Sequence, residues 1–433
     1  MADDDRSLAV LIGGRRVGVV TMGADGGFSL RYDEAWYGVE TSTPLSLSMP
    51  LAQRKHGDAP VRSFLWGLLP DNERVLDRWA QDYQVSPRNP FAVLRHVGGD
   101  CAGAAQFVRP ERVDKVIAGE GNVQWLTDAD ADVAERLRIL RSDPTAWHVR
   151  DSGHFSLAGA QAKIAFHHDP NSGRWGEPQG SIPTTHIIKP AVTGLDDHDL
   201  NEHLCLAAAR LLGLNAASTY VAQFGDERAI VVQRYDRRQM ADGTTTRIHQ
   251  EDMRQALGVP PTTKYQTEGG PTPEQVIELL RRSVFPAPLA AVAISSFVDA
   301  LAFNWIIYGT DGHAKNYSLL LSGSQVRLAP LYDVASALAY DMYPPKLRMA
   351  MTIGGEYRVE ATCGRHWRRF AAASGLDPEE TIARIDHLVE RVPDAFTAVA
   401  RAETIRNLKS TLPDRLGEQI SAGAAKCRTR LRY

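Results

Sequence analysis

One short motif says more about this chain than any other: residues 311–316 read Asp-Gly-His-Ala-Lys-Asn, and Leu-Tyr-Asp follows at residues 331–333. Asp311 lies five positions before Asn316, and Asp333 lies seventeen positions after Asn316. Enzymes that transfer phosphoryl groups from ATP place a catalytic Asp five residues before a metal-binding Asn, with a second metal-binding Asp further on. The spacing therefore predicts that Asp311 orients the attacking hydroxyl. It also predicts that Asn316 and Asp333 hold Mg²⁺, which prefers oxygen ligands.

The wording around this motif departs from that of ordinary protein kinases. The His-Arg that normally precedes the catalytic Asp is replaced by Gly309-Thr310, and the Phe-Gly that normally follows the second Asp is replaced by Val334-Ala335. Taken singly, Asp-Gly is also a common turn and Asn a common helix cap. The combination of the three residues, with Lys315 available to neutralise charge on the transferred group, favours the kinase-like interpretation.

Composition sets bounds on the class of protein. The chain has 433 residues, which suggests two or three domains at roughly 100–200 residues each, and 43% of its residues are hydrophobic. The formal net charge is −3, so bulk charge demands neither a nucleic-acid nor a membrane partner. The acidic start of the chain has no apolar segment typical of a secretory signal, and the most apolar stretch, residues 289–308, contains Asp299 and Asn304 and predicts a buried helix.

Cysteine usage points to a reducing compartment. The four cysteines are far apart and form no metal-binding pair such as Cys-x-x-Cys. We therefore expect a cytoplasmic protein without disulfides.

Hydrophobic periodicity predicts a β-containing N-terminal part. Two strands, 8–12 and 17–22, flank a Gly-Gly turn that indicates a hairpin, and a third strand is expected at 28–32. Residues 45–49 alternate with period two and predict another strand. Helical spacing then predicts helices over 72–83 and 90–97.

Further along, the chain changes from mixed to mostly helical. Residues 109–147 are predicted to form a polar connecting segment. Beyond it we expect strand–turn–strand over 155–167, a loop over 170–180 and a strand at 184–188. A helix capped by Asp199 and ending at Gly213 should follow, and then strands at 218–224 and 229–234. After residue 251 we expect helices, interrupted by a Pro/Gly/Thr loop at 258–273, and a hairpin at 317–321 and 326–328. The fold class is thus α+β, with a kinase-like arrangement divided at 1–109 (β-rich subdomain), 110–147 (connecting segment), 148–236 (N-lobe) and 237–433 (helical C-lobe).

Several other segments fit the same chemistry, each with a structural alternative. The small residues of 156–163 let backbone amides approach phosphates, although a Gly/Ala turn is usually a hairpin. Lys189 ends a strand, where a kinase lobe places the lysine that binds ATP phosphates, or it is simply solvated. Glu202 either pairs with this lysine or caps its helix. The end of the last strand, 231–237, is a candidate adenine hinge or an edge strand, and residues 249–252 either cap a helix or support the catalytic loop.

At this point the sequence resembles the HipA family, the kinase toxins of bacterial HipBA-type toxin–antitoxin modules. The matching segments cover nearly the whole chain and are 45–50, 67–72, 98–104, 156–163, 184–189, 201–202, 233–237, 250–252, 304–305, 311–316 and 331–333.

The resemblance implies a kinase-like HipA-type fold and a set of site residues. Asp311 would be the catalytic base, Asn316 and Asp333 the Mg²⁺ ligands, and Ser156 the serine that the family autophosphorylates. The residues implied in ATP binding are Ala158, Gly159, Ala160, Gln161, Ala162, Lys189, Gln233, Arg234, Tyr235, His313, Ala314, Lys315, Asn316, Tyr332 and Asp333. A phosphoserine adds about −1.5 to −2 charges, so phosphorylation of Ser156 is expected to repel ATP and inactivate the enzyme.

The resemblance also implies partners. It implies a small helix-turn-helix antitoxin (HipB-like), operator DNA bound through the antitoxin complex, and a protein substrate that would be an aminoacyl-tRNA synthetase, with glutamyl-tRNA synthetase as the first candidate. Arg365, Arg368 and Arg369 form a basic run that either contacts DNA phosphates or is a solvated helix face. Two other functions stay open: a catalytically silent nucleotide-binding scaffold for antitoxin and DNA, and a small-molecule kinase with the same lobes.

Overall fold

The computed structural model describes residues 6–39, 41–147, 155–192, 194–260, 263–340 and 346–433. Within these ranges the chain forms two compact units. The first comprises Met1–Pro190, Ala222–Pro261 and Leu319–Val326, and the second comprises Ala191–Val221, Thr262–Ser318 and Arg327–Tyr433. Residues 148–154, where the predicted N-lobe begins, lie outside the described residues.

The mixture of sheets and helices confirms the α+β prediction. The strands are β1 Ser7–Ile12, β2 Arg15–Met22, β3 Phe28–Tyr32, β4 Lys55–His56, β5 Ala105–Val108, β6 Gly121–Trp125, β7 Ile164–His168, β8 Trp175–Gly180, β9 His186–Pro190, β10 Thr219–Phe224, β11 Glu227–Gln233, β12 Arg237–Gln239, β13 Thr245–Arg247, β14 His249–Asp252, β15 Ser318–Ser322, β16 Gln325–Leu328, β17 Arg348–Ile353 and β18 Glu356–Arg358. The helices are α1 Glu34–Tyr37, α2 Asp58–Gly67, α3 Glu73–Tyr83, α4 Pro90–Val97, α5 Val113–Ile117, α6 Ala129–Ser142, α7 His198–Leu211, α8 Met253–Ala256, α9 Pro273–Ser283, α10 Ala287–Ile306, α11 Gly364–Ala373, α12 Pro378–Ala400, α13 Glu403–Arg406 and α14 Leu412–Leu431.

The first unit begins with a five-stranded antiparallel sheet in the order β4-β3-β2-β1-β5. The predicted hairpin is confirmed: β1 and β2 pair, and Gly13 and Gly14 both take positive φ angles of 58° and 72° at the turn, where glycine carries no steric cost. Helices α2 and α4 supply apolar side chains such as Phe64 and Leu94, which are buried in the same core as the inner strand residues.

A second sheet has six strands in the order β10-β11-β9-β7-β8-β6. Strand β9 lies between β7 and β11, and Lys189 stands opposite Ile230. The segment 110–147 contributes helix α6 and strand β6, which pairs with β8 at the edge of the sheet. This places the candidate lysine on an inner strand, whose position is fixed on both sides.

Three local predictions were wrong. Residues 45–49 form a turn with a single bridge from Ser46 to Met49, because the Tyr32 hydroxyl donates to the Met49 carbonyl at 2.6 Å and accepts from the Leu45 amide at 2.9 Å. Residues 155–157, the described residues at the start of the predicted strand–turn–strand, form no strand; Ser156 makes one bridge, to Cys101. Strand β8 lies where the Gly- and Pro-containing sequence predicted a loop, since its partners β7 and β6 supply the ladder.

The start of helix α7 also differs from the prediction. Its N-cap is Asp197, in a left-handed conformation with φ 57°, and no side-chain cap bond forms. Asp199 is fully buried within the first turn and is not the cap. The capping interpretation of Asp199 and Glu202 is therefore wrong, and Glu202, which is 2% exposed, lies in the buried face of α7.

Long helices dominate the second unit. Helix α12 packs against α7, α10, α11 and α14. Among the described helices, α10 is the one that is long and apolar enough to cross a membrane by length and composition, and 67% of that apolar window is buried within the protein. This burial matches the predicted core helix, which ends directly before residues 309–316.

Candidate active site

The loop that carries Asp311 is fastened to the end of helix α10. Asn304 accepts the Gly309 amide on its own carbonyl at 2.7 Å, and its side-chain nitrogen donates to the Tyr317 hydroxyl at 3.1 Å. A Cβ atom on Gly309 would lie 2.3 Å from the Asn304 Oδ1, so no larger residue fits there without a shift. Because Asn304 is buried, at 4% exposure, these contacts anchor the loop.

Within the loop, Asn316 and Asp311 are joined through the backbone. The Asn316 side-chain nitrogen and the His313 amide both donate to the Asp311 carbonyl, each at 2.8 Å. The Asp311 carboxylate itself points outward, with its side chain 65% exposed. Since the Asn316 nitrogen is engaged, the amide oxygen is the atom that it presents to a ligand, as a Mg²⁺ site requires.

Residues 332 and 333 are held by a second set of bonds in the same unit. The Tyr332 hydroxyl donates to the Lys315 carbonyl at 2.6 Å and lies 2.6 Å from the Ser318 hydroxyl. Asp333 adopts a left-handed conformation with φ 52°, which Asp tolerates better than most residues. The bonds of Tyr332 connect the strand start at Ser318 with the segment that carries Asp333.

A third connection fixes the chain just beyond Asp333. The Asn201 side chain on α7 donates to the Ser336 carbonyl at 2.8 Å and accepts from the Ser336 amide at 3.0 Å. Ser336 in turn donates its hydroxyl to the Ile307 carbonyl. The end of α10, helix α7 and the Asp333 segment are thus tied together.

Metal-binding capacity here rests on oxygen donors alone. In the described ranges, no group of three or more His, Cys, Asp or Glu side chains is arranged to hold a metal ion. Asn316 and Asp333 carry the oxygen donors that Mg²⁺ prefers, and such sites need only one or two protein oxygens, supplemented by phosphate oxygens and water.

A contact that the sequence did not predict reaches the candidate base. The Tyr265 hydroxyl donates to the Asp311 Oδ1 at 2.8 Å, and the Tyr265 ring stands edge-on to the His313 ring with centroids 5.1 Å apart. Tyr265 lies in the predicted Pro/Gly/Thr loop, 46 residues before Asp311. Its one sequence signal was its position as the aromatic residue of a polar loop.

In the first unit, the small-residue loop is closed upon itself. The Lys163 ammonium donates to the Ala158 carbonyl at 2.7 Å and lies over the Trp147 ring, 4.5 Å from its centroid. Gly159 has φ 103°, and a Cβ atom there would lie 2.9 Å from the Lys163 nitrogen. Gly159 is therefore required by both its conformation and the approach of Lys163.

The backbone amides of this loop are candidates for binding an anion. Within the described parts of the chain, none of the N–H groups of residues 158–162 donates to a protein acceptor. Consecutive N–H groups in a turn with a left-handed glycine form a concave site that binds phosphate. This arrangement favours the phosphate-binding interpretation of the loop over a simple hairpin.

Ser156 precedes the loop and is completely buried. Its hydroxyl donates to the Leu68 carbonyl at 2.7 Å, its amide donates to the Asp100 carbonyl at 2.9 Å, and its exposure is 0%. In this conformation the hydroxyl is not accessible to any phosphate donor. Modification of Ser156 requires that the segment leave this position.

The candidate hinge is anchored by a buried ion cluster. Arg234 donates its amide to the Thr185 carbonyl at 2.9 Å, and its guanidinium binds Asp236. The cluster comprises Asp100, Arg234, Asp236, Arg237 and Arg247. Arg234 therefore supports the hinge, while Gln233 lies in β11 opposite His186 and Tyr235 follows the strand end.

Charge in this cluster is nearly balanced, with three guanidinium groups and two carboxylates. Burial alone would raise the pKa of Asp100, but the guanidinium groups of Arg237, Arg234 and Arg247 hold it far below its usual range. Thr184 adds two hydrogen bonds to the same carboxylate, at 3.0 and 2.6 Å. The three guanidinium groups and Thr184 therefore stabilise the ionised form of Asp100.

Residues 249–252 form strand β14 and the start of helix α8. Asp252 caps α8 in a reciprocal capping box with Gln255, as one of the two sequence interpretations predicted. Glu251 accepts from the Ser46 hydroxyl and from the Leu47 amide at 2.8 Å, and burial raises its pKa to about 8. These contacts explain the unusual turn at residues 45–49.

The basic run lies on helix α11. Arg368 binds Glu379 through its Nε at 2.7 Å, whereas Arg365 and Arg369 are exposed. Such pairing is typical of a solvated helix face.

Comparisons with known proteins identify the family of this chain. Residues 8–108 match the HipA N-terminal domain, and residues 155–396 match the HipA-like C-terminal domain. The chain is 36% identical to Y4mE of Sinorhizobium fredii, a provisionally named kinase, over 97% of this chain and 98% of that protein. It is 28% identical to the serine/threonine-protein kinase toxin HipA of Shewanella oneidensis, over 86% of this chain and 84% of that protein.

A solved structure shares the fold. The complex of HipA, HipB and operator DNA from Shewanella oneidensis contains a chain that matches with a TM-score of 0.81 and 24% identity, covering 98% of both chains. The fold, the relatives and the Asp311 loop define the class of protein: it is a kinase with an α+β, kinase-like architecture. More specifically, the chain belongs to the HipA family.

Proposed function

We propose that this protein is an ATP-dependent serine/threonine-protein kinase that acts as a growth-arresting toxin, with Asp311 as the catalytic base. The observation that carries this proposal is the loop in which the Asn316 side chain binds the Asp311 carbonyl at 2.8 Å while the Asp311 carboxylate remains exposed. That arrangement presents a base and a metal ligand from one rigid turn. Preorganised groups of this kind supply most of the catalysis in phosphoryl transfer.

In the proposed site, ATP and Mg²⁺ are held by the side chains and backbone groups named next. Mg²⁺, bound by Asn316 and Asp333, would supply charge neutralisation on the phosphates. The amides of residues 158–162 and the Lys189 ammonium would bind phosphate oxygens, and Gln233 and Tyr235 would meet the adenine through their backbone. His313, Ala314, Lys315 and Tyr332 would complete the nucleotide site. The carboxylate of Asp311 would orient the acceptor hydroxyl and take its proton.

Ser156 is proposed to switch the enzyme off when it carries a phosphoryl group. A phosphoserine adds about −1.5 to −2 charges and three oxygens, and the present position of Ser156 has no exposed surface to hold them. The phosphorylated segment would therefore leave this position and carry residues 158–162 with it. A Ser156→Asp variant should bind ATP more weakly than the wild type; equal affinity would refute the switch.

The proposed partners follow from the family. The Shewanella oneidensis relative is crystallised with HipB and operator DNA, and we propose a HipB-like helix-turn-helix antitoxin and operator DNA as partners of this chain, with operon co-repression as the outcome. Arg365 and Arg369, which are exposed, are the candidates for DNA contact, whereas Arg368 is paired with Glu379. The proposed substrate is an aminoacyl-tRNA synthetase, with glutamyl-tRNA synthetase tested first, in the cytoplasm.

The intact mass of purified protein after incubation with Mg-ATP tests the catalytic proposal. The protein is first treated with phosphatase, and an Asp311→Asn variant is the matched control. A gain of one phosphoryl group on the wild type alone, mapped to Ser156, is the expected result. No gain on the wild type, with ATP binding retained, would instead support the catalytically silent scaffold or the small-molecule kinase.

A further inference from the structure

The strongest unassigned contact in the second unit joins Tyr265 to Asp311. The phenol hydroxyl donates to the Asp311 Oδ1 at 2.8 Å. The Tyr265 ring also stands against His313 at an interplanar angle of 74°, and the Lys264 ammonium lies 5.1 Å from the centroid of the Tyr265 ring. One oxygen of the candidate base is thus occupied by a hydroxyl of this same chain.

The loop around Tyr265 is built to hold the ring there. The next residue, Gln266, donates its side-chain nitrogen to the Thr352 hydroxyl at 3.0 Å and accepts the Thr352 amide at 2.8 Å. The Gly270 amide closes the turn by donating to the Tyr265 carbonyl at 2.9 Å. A Cβ atom on Gly270 would lie 2.7 Å from that carbonyl, so the turn is tightly closed.

A general base must lie about 2.6–3.2 Å from the oxygen whose proton it takes. The Tyr265 hydroxyl meets this distance, with its proton directed to the carboxylate, as a serine or threonine hydroxyl of a substrate would be. Two hydroxyl groups cannot occupy the same lone-pair position on Oδ1. A carboxylate offers about four lone-pair positions, and the phenol fills the one on Oδ1 that it faces. An acceptor that uses this position must first displace the phenol.

We propose that Tyr265 is a further residue of the phosphoryl-transfer site, and that its hydroxyl holds the acceptor position on Asp311 until a substrate hydroxyl displaces it. This inference rests on the proposed function of Asp311 as the base. An acceptor must therefore break the hydrogen bond between Tyr265 and Asp311 before it takes the acceptor position. The enzyme is selective for acceptors whose other contacts with the protein offset that loss of free energy. The Gln266–Thr352 bonds determine how readily the ring moves aside.

The test is the initial rate of phosphoryl transfer to Ser156, measured by intact mass on phosphatase-treated full-length chain over a series of protein concentrations. The Tyr265→Phe variant keeps the ring and its contact with His313 but loses the competing hydroxyl. Its rate is expected to rise roughly tenfold, the factor that corresponds to losing one hydrogen bond to a charged group. The rise should appear as a lower KM for the acceptor, or as a faster first-order rate if each chain modifies itself.

Two further variants keep the outcome interpretable. Gln266→Ala loosens the loop without touching the base and should also raise the rate, although less. Tyr220→Phe, at an exposed position on β10, is the matched control and should leave the rate unchanged. Thermal unfolding of each variant verifies that the chain is folded.

Each result has one meaning. Unchanged or slower transfer by folded Tyr265→Phe, with Asp311→Asn inert, would overturn the inference; slower transfer would show that the phenol positions the base. If the wild type and Asp311→Asn are equally inert, the proposed function itself fails, and the inference fails with it.

Discussion

The side chain of Asn201 brackets the backbone of Ser336 from both sides, donating to its carbonyl at 2.8 Å and accepting from its amide at 3.0 Å. Both residues are buried, at 0% and 1% exposure, so water cannot replace these bonds. We expect Asn201→Ala to lower the free energy of unfolding by roughly 1–3 kcal/mol through unsatisfied backbone groups. The rate of autophosphorylation should fall by roughly 10²-fold, since the Asp333 segment would shift.

Urea unfolding and the mass-based rate assay measure the two effects of Asn201→Ala. Asn407→Ala, an exposed position after helix α13, is the control and should change neither. Asn201→Asp replaces the donor by a carboxylate oxygen that would be buried against the Ser336 carbonyl, so it should be at least as destabilising as Asn201→Ala. Wild-type activity in Asn201→Ala would show that this bracket does not position Asp333.

Two glycine-to-alanine substitutions should change the free energy of unfolding in opposite directions. At Gly309 a Cβ atom would lie 2.3 Å from the Asn304 Oδ1, whereas at Gly417, inside helix α14, nothing lies within 4 Å. Gly309→Ala should lower stability by about 1–3 kcal/mol, as overpacking does, and should reduce activity. Gly417→Ala should raise stability by about 0.5–1 kcal/mol because alanine is the better helix former.

Thermal unfolding with a parallel activity assay compares these two variants. If Gly309→Ala were as stable and as active as the wild type, Asn304 would not constrain the loop.

Glu251 should make stability fall as pH rises. Burial raises its folded pKa to about 8, well above that of an unfolded glutamate, so the folded state binds the proton more tightly. This contribution is complete below the unfolded pKa and is lost as pH rises through the folded value. Between about pH 6.5 and pH 8 the loss should be roughly 1.5 kcal/mol.

The choice of pH range matters because buried histidines make the free energy of unfolding increase with pH, which is opposite to the effect of Glu251. Burial lowers the pKa of His186, His203 and His249 to about 4, so their contribution to stability rises with pH up to about their unfolded pKa, near 6.5. Across the window itself the three histidines together still add about 1.2 kcal/mol. Urea unfolding of Glu251→Gln should therefore show a rise in stability with pH, while the exposed control Glu418→Gln should show the same small net decline as the wild type. A wild-type slope in Glu251→Gln would contradict the assignment.

Arg254 in helix α8 carries a buried charge, whose removal from water is unfavourable for folding. Its side chain is 0% exposed, and none of its three guanidinium nitrogens has a hydrogen-bond partner within the described ranges of the chain. Replacing a buried ion pair by apolar residues of similar volume is often neutral or stabilises a protein by about 1–4 kcal/mol, and a buried guanidinium without a hydrogen-bond partner is more unfavourable still. We expect Arg254→Met to raise the unfolding midpoint in urea.

Arg391→Met, on the exposed face of helix α12, is the matched control for Arg254→Met and should have little effect. A destabilised Arg254→Met would mean that the guanidinium is satisfied in solution by a bound anion. Adding phosphate to the wild type would then raise its stability.

The sequence predicted regular elements well where local pattern determines them. The β1–β2 hairpin, helices α3 and α4, the core helix α10 and the β15–β16 hairpin all occur where hydrophobic spacing and turn residues placed them. Residues 45–49 were wrong because their alternation reflects bonds to Tyr32 and Glu251, which lie far away in sequence. Strand β8 was missed because its partners, rather than its own residues, make it a strand.

For the candidate site, the sequence predicted which residues carry chemistry but not what holds them. The offset from Asp311 to Asn316 is local and could be read directly. The contact of Tyr265 with Asp311 joins residues 46 positions apart, and no spacing rule predicts it. The same is true of the pairing of Asp100 with Arg237, which depends on the tertiary fold.

That last ion pair has a consequence for how the family can vary. Asp100 belongs to the N-terminal family region, whereas Arg234 and Arg237 belong to the C-terminal one. Severing the chain between these regions would leave three buried guanidinium groups with the single carboxylate of Asp236. The two regions therefore cannot be exchanged independently between relatives. A chimera needs Asp100 and its arginine partners from the same parent protein.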